Sequence, residues 1–272
     1  MNGTPFIGLY PFQWTGLLTA TMTLVLLGDA FAGHYRSGFV SRAQYAPFVA
    51  GGLLIVAALM ASVAPGAAWA STALRAAGWL AVATGVVGFA FHHYYGIARK
   101  PGGYKWLLHQ LMYGAPQLAP LALALAGAFG LATARGLAGG TQFVGMEMRT
   151  ALLSLVAVGI AGAVLQSAVL HYRGAFNNAA MYAPLTAPAL AVVALVWAAL
   201  APGRLALASV LILLWATLLV GFVGMGMHLR GFGRQMGGLY VALFNWLEGP
   251  PAFAPALFAG FAAVGLSVVY LL

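Results

Sequence analysis

The sequence predicts an all-α integral membrane protein of eight transmembrane helices, arranged as two parallel four-helix repeats. Three observations predict it: apolar runs of spanning length, a scarcity of charge, and a residue block that recurs 137 positions later. Of 272 residues, 63% are apolar, and 12 Lys and Arg stand against 3 Asp and Glu. A soluble domain carries charge on about a quarter of its residues. A helix that is apolar all round belongs in lipid or a deep core.

Spanning a hydrocarbon layer of about 30 Å takes about 20 apolar residues. Eight runs meet that need, near 14–33, 46–64, 76–95, 115–133, 150–171, 183–201, 203–227 and 250–271. The first fourteen residues hold no Lys or Arg, unlike a cleavable signal peptide, so the first span is expected to remain in the mature protein. Two further apolar stretches, 104–113 and 239–248, are too short to span. Each ends in a Gly-Pro corner, Gly114-Ala115-Pro116 and Gly249-Pro250-Pro251. They read either as helices lying along the membrane surface or as the first turns of kinked fourth and eighth spans.

Charge predicts the orientation. The loops after spans 1, 3, 5 and 7 hold Arg36, Arg42, Arg99, Lys100, Lys105, Arg173, Arg230 and Arg234. The opposite side holds Arg75, Arg135, Arg149 and Arg204. By the positive-inside rule the first side is cytoplasmic. Both termini are then outside, periplasmic if the membrane is a bacterial inner membrane. The basic residues are scattered singly between apolar runs, so nucleic acid is not an expected partner. Without cysteine there is no disulfide and no covalent c-type haem attachment.

The repeat is read from ordered matches. His34-Tyr35-Arg36 through Tyr45-Ala46-Pro47 reappears as His171-Tyr172-Arg173 through Tyr182-Ala183-Pro184, with eight of fourteen positions identical. The block Gly85 to His92 matches Gly221 to His228 at an offset of 136. Gly102, Gly103, Pro116 and Pro120 match Gly237, Gly238, Pro251 and Pro255 at 135. Residues 1–137 and 138–272 are the two expected units. An even number of spans in each gives both the same polarity, related by a pseudo-twofold axis along the membrane normal.

Four histidines obey the repeat: His34, His92, His171 and His228. They close spans 1, 3, 5 and 7, so all four are expected near one membrane face. Two imidazoles at similar depth on parallel helices suit the two axial positions of a haem iron. Gly88 and Gly85 precede His92 by four and seven residues, and Gly224 and Gly221 precede His228 likewise. They share the histidine's helix face and read as a slot for a flat macrocycle. Arg36 and Arg173, two residues after their histidines, are candidates to pair with haem propionates. Two plainer readings stand beside these: His, Tyr and Arg anchor helix ends at the interface, and Gly stripes allow close helix packing. A third is copper or iron held by the histidines without haem.

His93 and His109 have no counterparts in the second half. His93 competes with His92 as the inward-facing ligand, and His109, beside Trp106, reads as a surface residue. Asp29 lies five residues before His34, and Gln166 stands at its matched position. An ionisable group at that depth is a functional candidate, here a partner for a nearby imidazole. Glu147 and Glu248 read as surface groups. Phosphate-binding glycine loops and a nucleophile-elbow motif are absent from the sequence.

With eight spans in two halves and paired histidines, the chain is similar in architecture to the haem A synthases. Their ligand motif, an acid three residues before the histidine and an arginine after it, is missing here, so the resemblance implies architecture alone. The expected function is a b-type haem protein passing electrons within the bilayer, to or from quinone. The competing expectations are a small-solute transporter or channel between the halves, and an accessory subunit packed against other membrane subunits.

Overall fold

A computed structural model of the chain describes residues 5–249 and 251–271. It is built almost wholly of helix: α1 (Pro11–Arg36), α2 (Ala46–Val63), α3 (Ala68–His93), α4 (Leu107–Tyr113), α5 (Ala119–Leu137), α6 (Met148–Arg173), α7 (Ala187–Leu200), α8 (Arg204–Phe232), α9 (Ala242–Glu248) and α10 (Ala254–Leu271). A small hairpin of β1 (Gln142–Phe143) and β2 (Met146–Glu147) joins α5 to α6. Val144 and Gly145 both take positive φ there, as a two-residue hairpin turn requires.

Among the described residues, seven helices are long and apolar enough to cross a membrane. They correspond to the first seven predicted spans. The eighth, α10, is a shorter apolar helix. The third span departs most from its predicted bounds, because α3 begins at Ala68 rather than near residue 76. The stretch Ala68–Arg75 carries Ser71, Thr72 and Arg75, which look like loop. Its alanines are strong helix formers, and Ser71 hydrogen-bonds to the Ala134 carbonyl of α5. The two short apolar stretches resolve as separate seven-residue helices, α4 and α9, each preceded by a tight 3-10 turn. Of the two corners that follow them, Pro250 lies outside the described residues.

Several polar groups within the spans are satisfied locally, whereas the buried Thr133 hydroxyl of α5 has no hydrogen-bond partner. On α1, the hydroxyls of Thr15, Thr19 and Thr23 each donate to the carbonyl four residues earlier. That arrangement gives each of these three α1 hydroxyls a partner at apolar depth. The outer surface is the reverse of a soluble protein's, with Leu24, Val63, Leu205 and Ile212 exposed. Such a surface needs a lipid bilayer around it.

The closest packing joins α3 to α5 and α8 to α10. A Cβ on Gly85 would lie 2.5 Å from the Ala124 nitrogen and 2.6 Å from the Pro120 oxygen. A Cβ on Gly221 would lie 2.5 Å from the Ala259 nitrogen. In both cases the obstacle is backbone, which cannot rotate aside. In lipid, where apolar surface gains nothing by leaving its solvent, such backbone proximity is a main source of helix association. Two apolar cores result. One lies around Leu54, Leu74, Ala81 and Leu123. The other lies around Leu152, Ile160, Val210 and Leu214, and also takes in Phe12, Met22 and Phe129.

Substituting Gly85 or Gly221 with Ala should therefore force the paired helices apart, at a cost of about 1–3 kcal/mol. Thermal unfolding in detergent should show a lower Tm for both variants. Gly226→Ala, on the same helix as Gly221 but with nothing within 4 Å of its added Cβ, should leave Tm unchanged or slightly raised. Equal Tm values for all three would mean that the close approach is not what holds the bundle.

Candidate functional site

The face on which α1, α3, α6 and α8 end collects the four repeat-matched histidines. All four are half-buried. The rings of His34 and His92 meet edge to face, with centroids 6.2 Å apart and planes at 87°. Among the described residues, His171 and His228 make no comparable ring contact, and His171 stands instead against Phe176 at 6.3 Å.

Each ring is held through Nδ1. His92 Nδ1 lies 3.0 Å from the Pro116 oxygen, and His228 Nδ1 lies 2.8 Å from the Pro251 oxygen. His171 Nδ1 lies 2.7 Å from the Met181 oxygen. A carbonyl only accepts, so in the neutral form these three rings carry their proton on Nδ1 and leave Nε2 unprotonated. That is the tautomer of a metal-ligating histidine. His34 differs. Its Nδ1 accepts from Gln44 Nε2 at 3.1 Å, while Gln44 Oε1 takes the Ser41 N–H at 3.0 Å. The His34 proton therefore sits on Nε2.

The loops after α1 and α6 share a feature that sequence reading missed. Phe39 and Phe176 both adopt left-handed backbone, with φ of 48° and 46°, a strained conformation for an aromatic residue. Their N–H groups reach back to the carbonyls of His34 and His171 at 3.1 Å. Each ring stacks on a tyrosine: Phe39 on Tyr45 at 4.9 Å and Phe176 on Tyr182 at 4.5 Å. The strained turn thus lays an aromatic wall beside each histidine. The only advance sign was that Phe and Tyr recur at both positions.

Several predicted site residues have other partners. Gly85 and Gly88 face Ala124 and Pro120 of α5, and Gly221 and Gly224 face Ala259 and Pro255 of α10. The slot expected along these glycines is filled by a helix. The sequence placed them on the correct face, but helix packing occupies it. Arg36 Nη1 donates to the Gly249 oxygen at 2.7 Å, at the end of α9. Arg173 Nη1 donates to the Met112 oxygen at 3.3 Å, in α4, and its guanidinium lies 4.9 Å from the Tyr113 ring. Each arginine thus satisfies a carbonyl near the C-terminal end of a short helix in the other half of the chain. Asp29, expected to orient an imidazole, accepts the Phe253 N–H at 3.1 Å instead. It stabilises the N-terminus of α10, where a carboxylate complements the helix dipole.

The residues without counterparts also separate. His93 turns to the Tyr104 hydroxyl at 2.7 Å, so His92 is the ring that faces His34. His109 is exposed, 4.9 Å from the Tyr113 ring. A π-helical turn, Tyr94–Ala98, extends α3 beyond His93. Gln117 supports it by donating to the His92 oxygen at 3.2 Å. Neither the π turn nor the buried Gln117 was anticipated. Ala252 stands at the matched position in the second half, and α8 runs on as regular helix. Among the described residues, no three His, Asp or Glu side chains gather as a metal site.

Replacing Arg36 with Ala should loosen α9 by about 1 kcal/mol, the worth of one hydrogen bond. Amide hydrogen exchange should rise severalfold across residues 242–249 and stay unchanged across α4. Arg173→Ala should give the converse. Uniform exchange in both variants would show that the arginines clamp nothing. No family model, curated protein or solved structure matches the chain.

Proposed function

We propose that this is a haem protein of the membrane, with one b-type haem held between His34 and His92 and electrons passing through it within the bilayer. The observation that supports it is the spacing of that pair. Metal–imidazole bonds are about 2 Å each, and the ring centre lies roughly 1 Å behind its nitrogen, so two imidazoles sharing one iron stand about 6 Å apart. The rings of His34 and His92 are 6.2 Å apart. A pair of imidazoles suits a haem, whose porphyrin supplies the other four nitrogens. Structural zinc takes four protein ligands.

His92 already has the ligating tautomer. His34 acquires it when the Gln44 amide turns to present its oxygen, giving up the bond from the Ser41 N–H. A guanidinium has five donors, so Arg36 keeps N–H groups for a propionate beyond the one given to Gly249. His171 and His228, each with an unprotonated Nε2, are the ligands proposed for a second haem. Haem supplies one-electron chemistry, and quinone is the proposed partner because it exchanges electrons inside the bilayer. The reading against transport is that mid-span polar groups such as Thr15, Thr19 and Thr23 are bonded within their own helix.

We infer eight spans, with α10 as the last, in two parallel repeats of residues 1–137 and 138–272. The paired contacts support this: Gly85 on Ala124 and Gly221 on Ala259, His92 on Pro116 and His228 on Pro251. The histidine face is taken as cytoplasmic, with both termini on the periplasmic side of a bacterial inner membrane.

Protein expressed with ample haem should show a Soret band that sharpens and shifts on dithionite reduction, with the split α and β bands of low-spin iron. His92→Ala should remove the first-half haem and leave any bound by His171 and His228. Gln44→Glu should retain it, because a carboxylate accepts from His34 Nδ1–H. Purified protein lacking any Soret band would overturn the proposal.

A further inference from the structure

We propose that the first half carries a binding site for the headgroup of an anionic phospholipid, in the groove between the loop Lys100–Gly102 and α4. The groove is lined by Lys100, Pro101, Gly102, Trp106, His109 and Gln110, with the exposed Lys105 next to Trp106 in the chain. It lies on the histidine face, just beyond the π turn that ends α3. This inference is independent of haem.

The backbone around the groove occurs twice. Gly102 and Gly103 have φ of 80° and 48°, and Gly237 and Gly238 have 77° and 55°; a 3-10 turn and a seven-residue helix follow in both places. The buried amides of Gln110 and Asn245 brace both loops from below, on the Pro101 oxygen and the Gly238 oxygen respectively. The side chains around the groove, however, have diverged in one direction. Lys100, Lys105, Trp106 and His109 stand where the second half has Gln235, Tyr240, Val241 and Phe244. The second half folds this unit without the two lysines, the indole or the imidazole, so the fold does not require them.

What they form is suited to an anion at the edge of a bilayer. Lys100, Lys105 and Arg99 are all exposed. The chain's three acids lie elsewhere: Asp29 is bonded to Phe253, Glu147 lies beside Thr150, and Glu248 is on α9. Trp106 is 61% exposed and lies over Gly102, where any Cβ would strike the indole. Leu107 and Leu108 continue its apolar surface. Cations meeting a phosphate, with an indole and leucines meeting the acyl chains below it, is the pattern of headgroup recognition at a membrane interface.

The test uses the full chain in neutral detergent, with native mass spectrometry of bound lipid. Phosphatidylglycerol and phosphatidylcholine are offered in equal amounts; both contain phosphate, but only the first has net charge. Phosphatidylglycerol should be retained preferentially. Lys100→Gln and Lys105→Gln should each weaken its retention about fivefold. Arg204→Gln, on the opposite face, should not. Unaltered Tm in both lysine variants, expected because Gln235 and Tyr240 occupy these positions in the second half, separates loss of the site from loss of fold. Equal retention of the two lipids, or equal effects of all three substitutions, would overturn the proposal. So would displacement of phosphatidylglycerol by millimolar inorganic phosphate, since the groove would then read free phosphate.

Discussion

The close approach of α3 to α5, repeated by α8 on α10, is the constraint on which the rest of the structure depends. At Gly85 and Gly221 the helices meet backbone to backbone. About one turn further along, the same interface reaches Gly88 on Pro120 and Gly224 on Pro255. It ends where His92 bonds to the Pro116 oxygen and His228 to the Pro251 oxygen. Helix packing and imidazole orientation are thus one interaction. Proline leaves the preceding helix-free corner with a carbonyl that no intrahelical N–H claims, and the imidazole takes it. Side chains on the glycine faces would part the helices and withdraw that carbonyl from the ring.

The two halves are tied by polar contacts that cross between them. Asp29 and Arg36 lie two turns apart on α1 and hold the N-terminus of α10 and the C-terminal end of α9. Arg173 makes the matching contact to α4. Gln166 replaces Asp29 on α6, so the second of the two junctions lacks the carboxylate. The asymmetry extends to the histidine face. The first half has the facing His34–His92 pair, the π turn, Gln117 and the lysine groove, whereas the second has the plainer form of each element.

The spans were legible because lipid demands uninterrupted apolar length, and the seven long helices follow the apolar runs. The start of α3 was not, because Ser71, Thr72 and Arg75 resemble a loop until α5 supplies a partner for Ser71. The helix face shared by Gly85, Gly88 and His92 followed from periodicity alone. What lies opposite that face did not, because α5 meets those glycines from 32 to 39 residues away in the chain. The same holds more strongly for Arg36, whose carbonyl partner lies 213 residues away. Its position two residues after His34 pointed to a ligand, while its contact is to the other half. The strained Phe39 and Phe176 show the reverse case: the residues were visible as a recurrence, but nothing in a sequence reports a left-handed φ.

Backbone carbonyls fix the proton of neutral His92, His171 and His228 on Nδ1 and leave Nε2 without one. Nitrogen-15 NMR of the ring nitrogens, in ligand-free protein with labelled histidine and assigned by single substitutions, tests it directly. His92, His171 and His228 should show a protonated Nδ1 and a bare Nε2, and His34 the opposite. Protonated Nε2 in the first three, or rapid exchange between tautomers, would contradict the account.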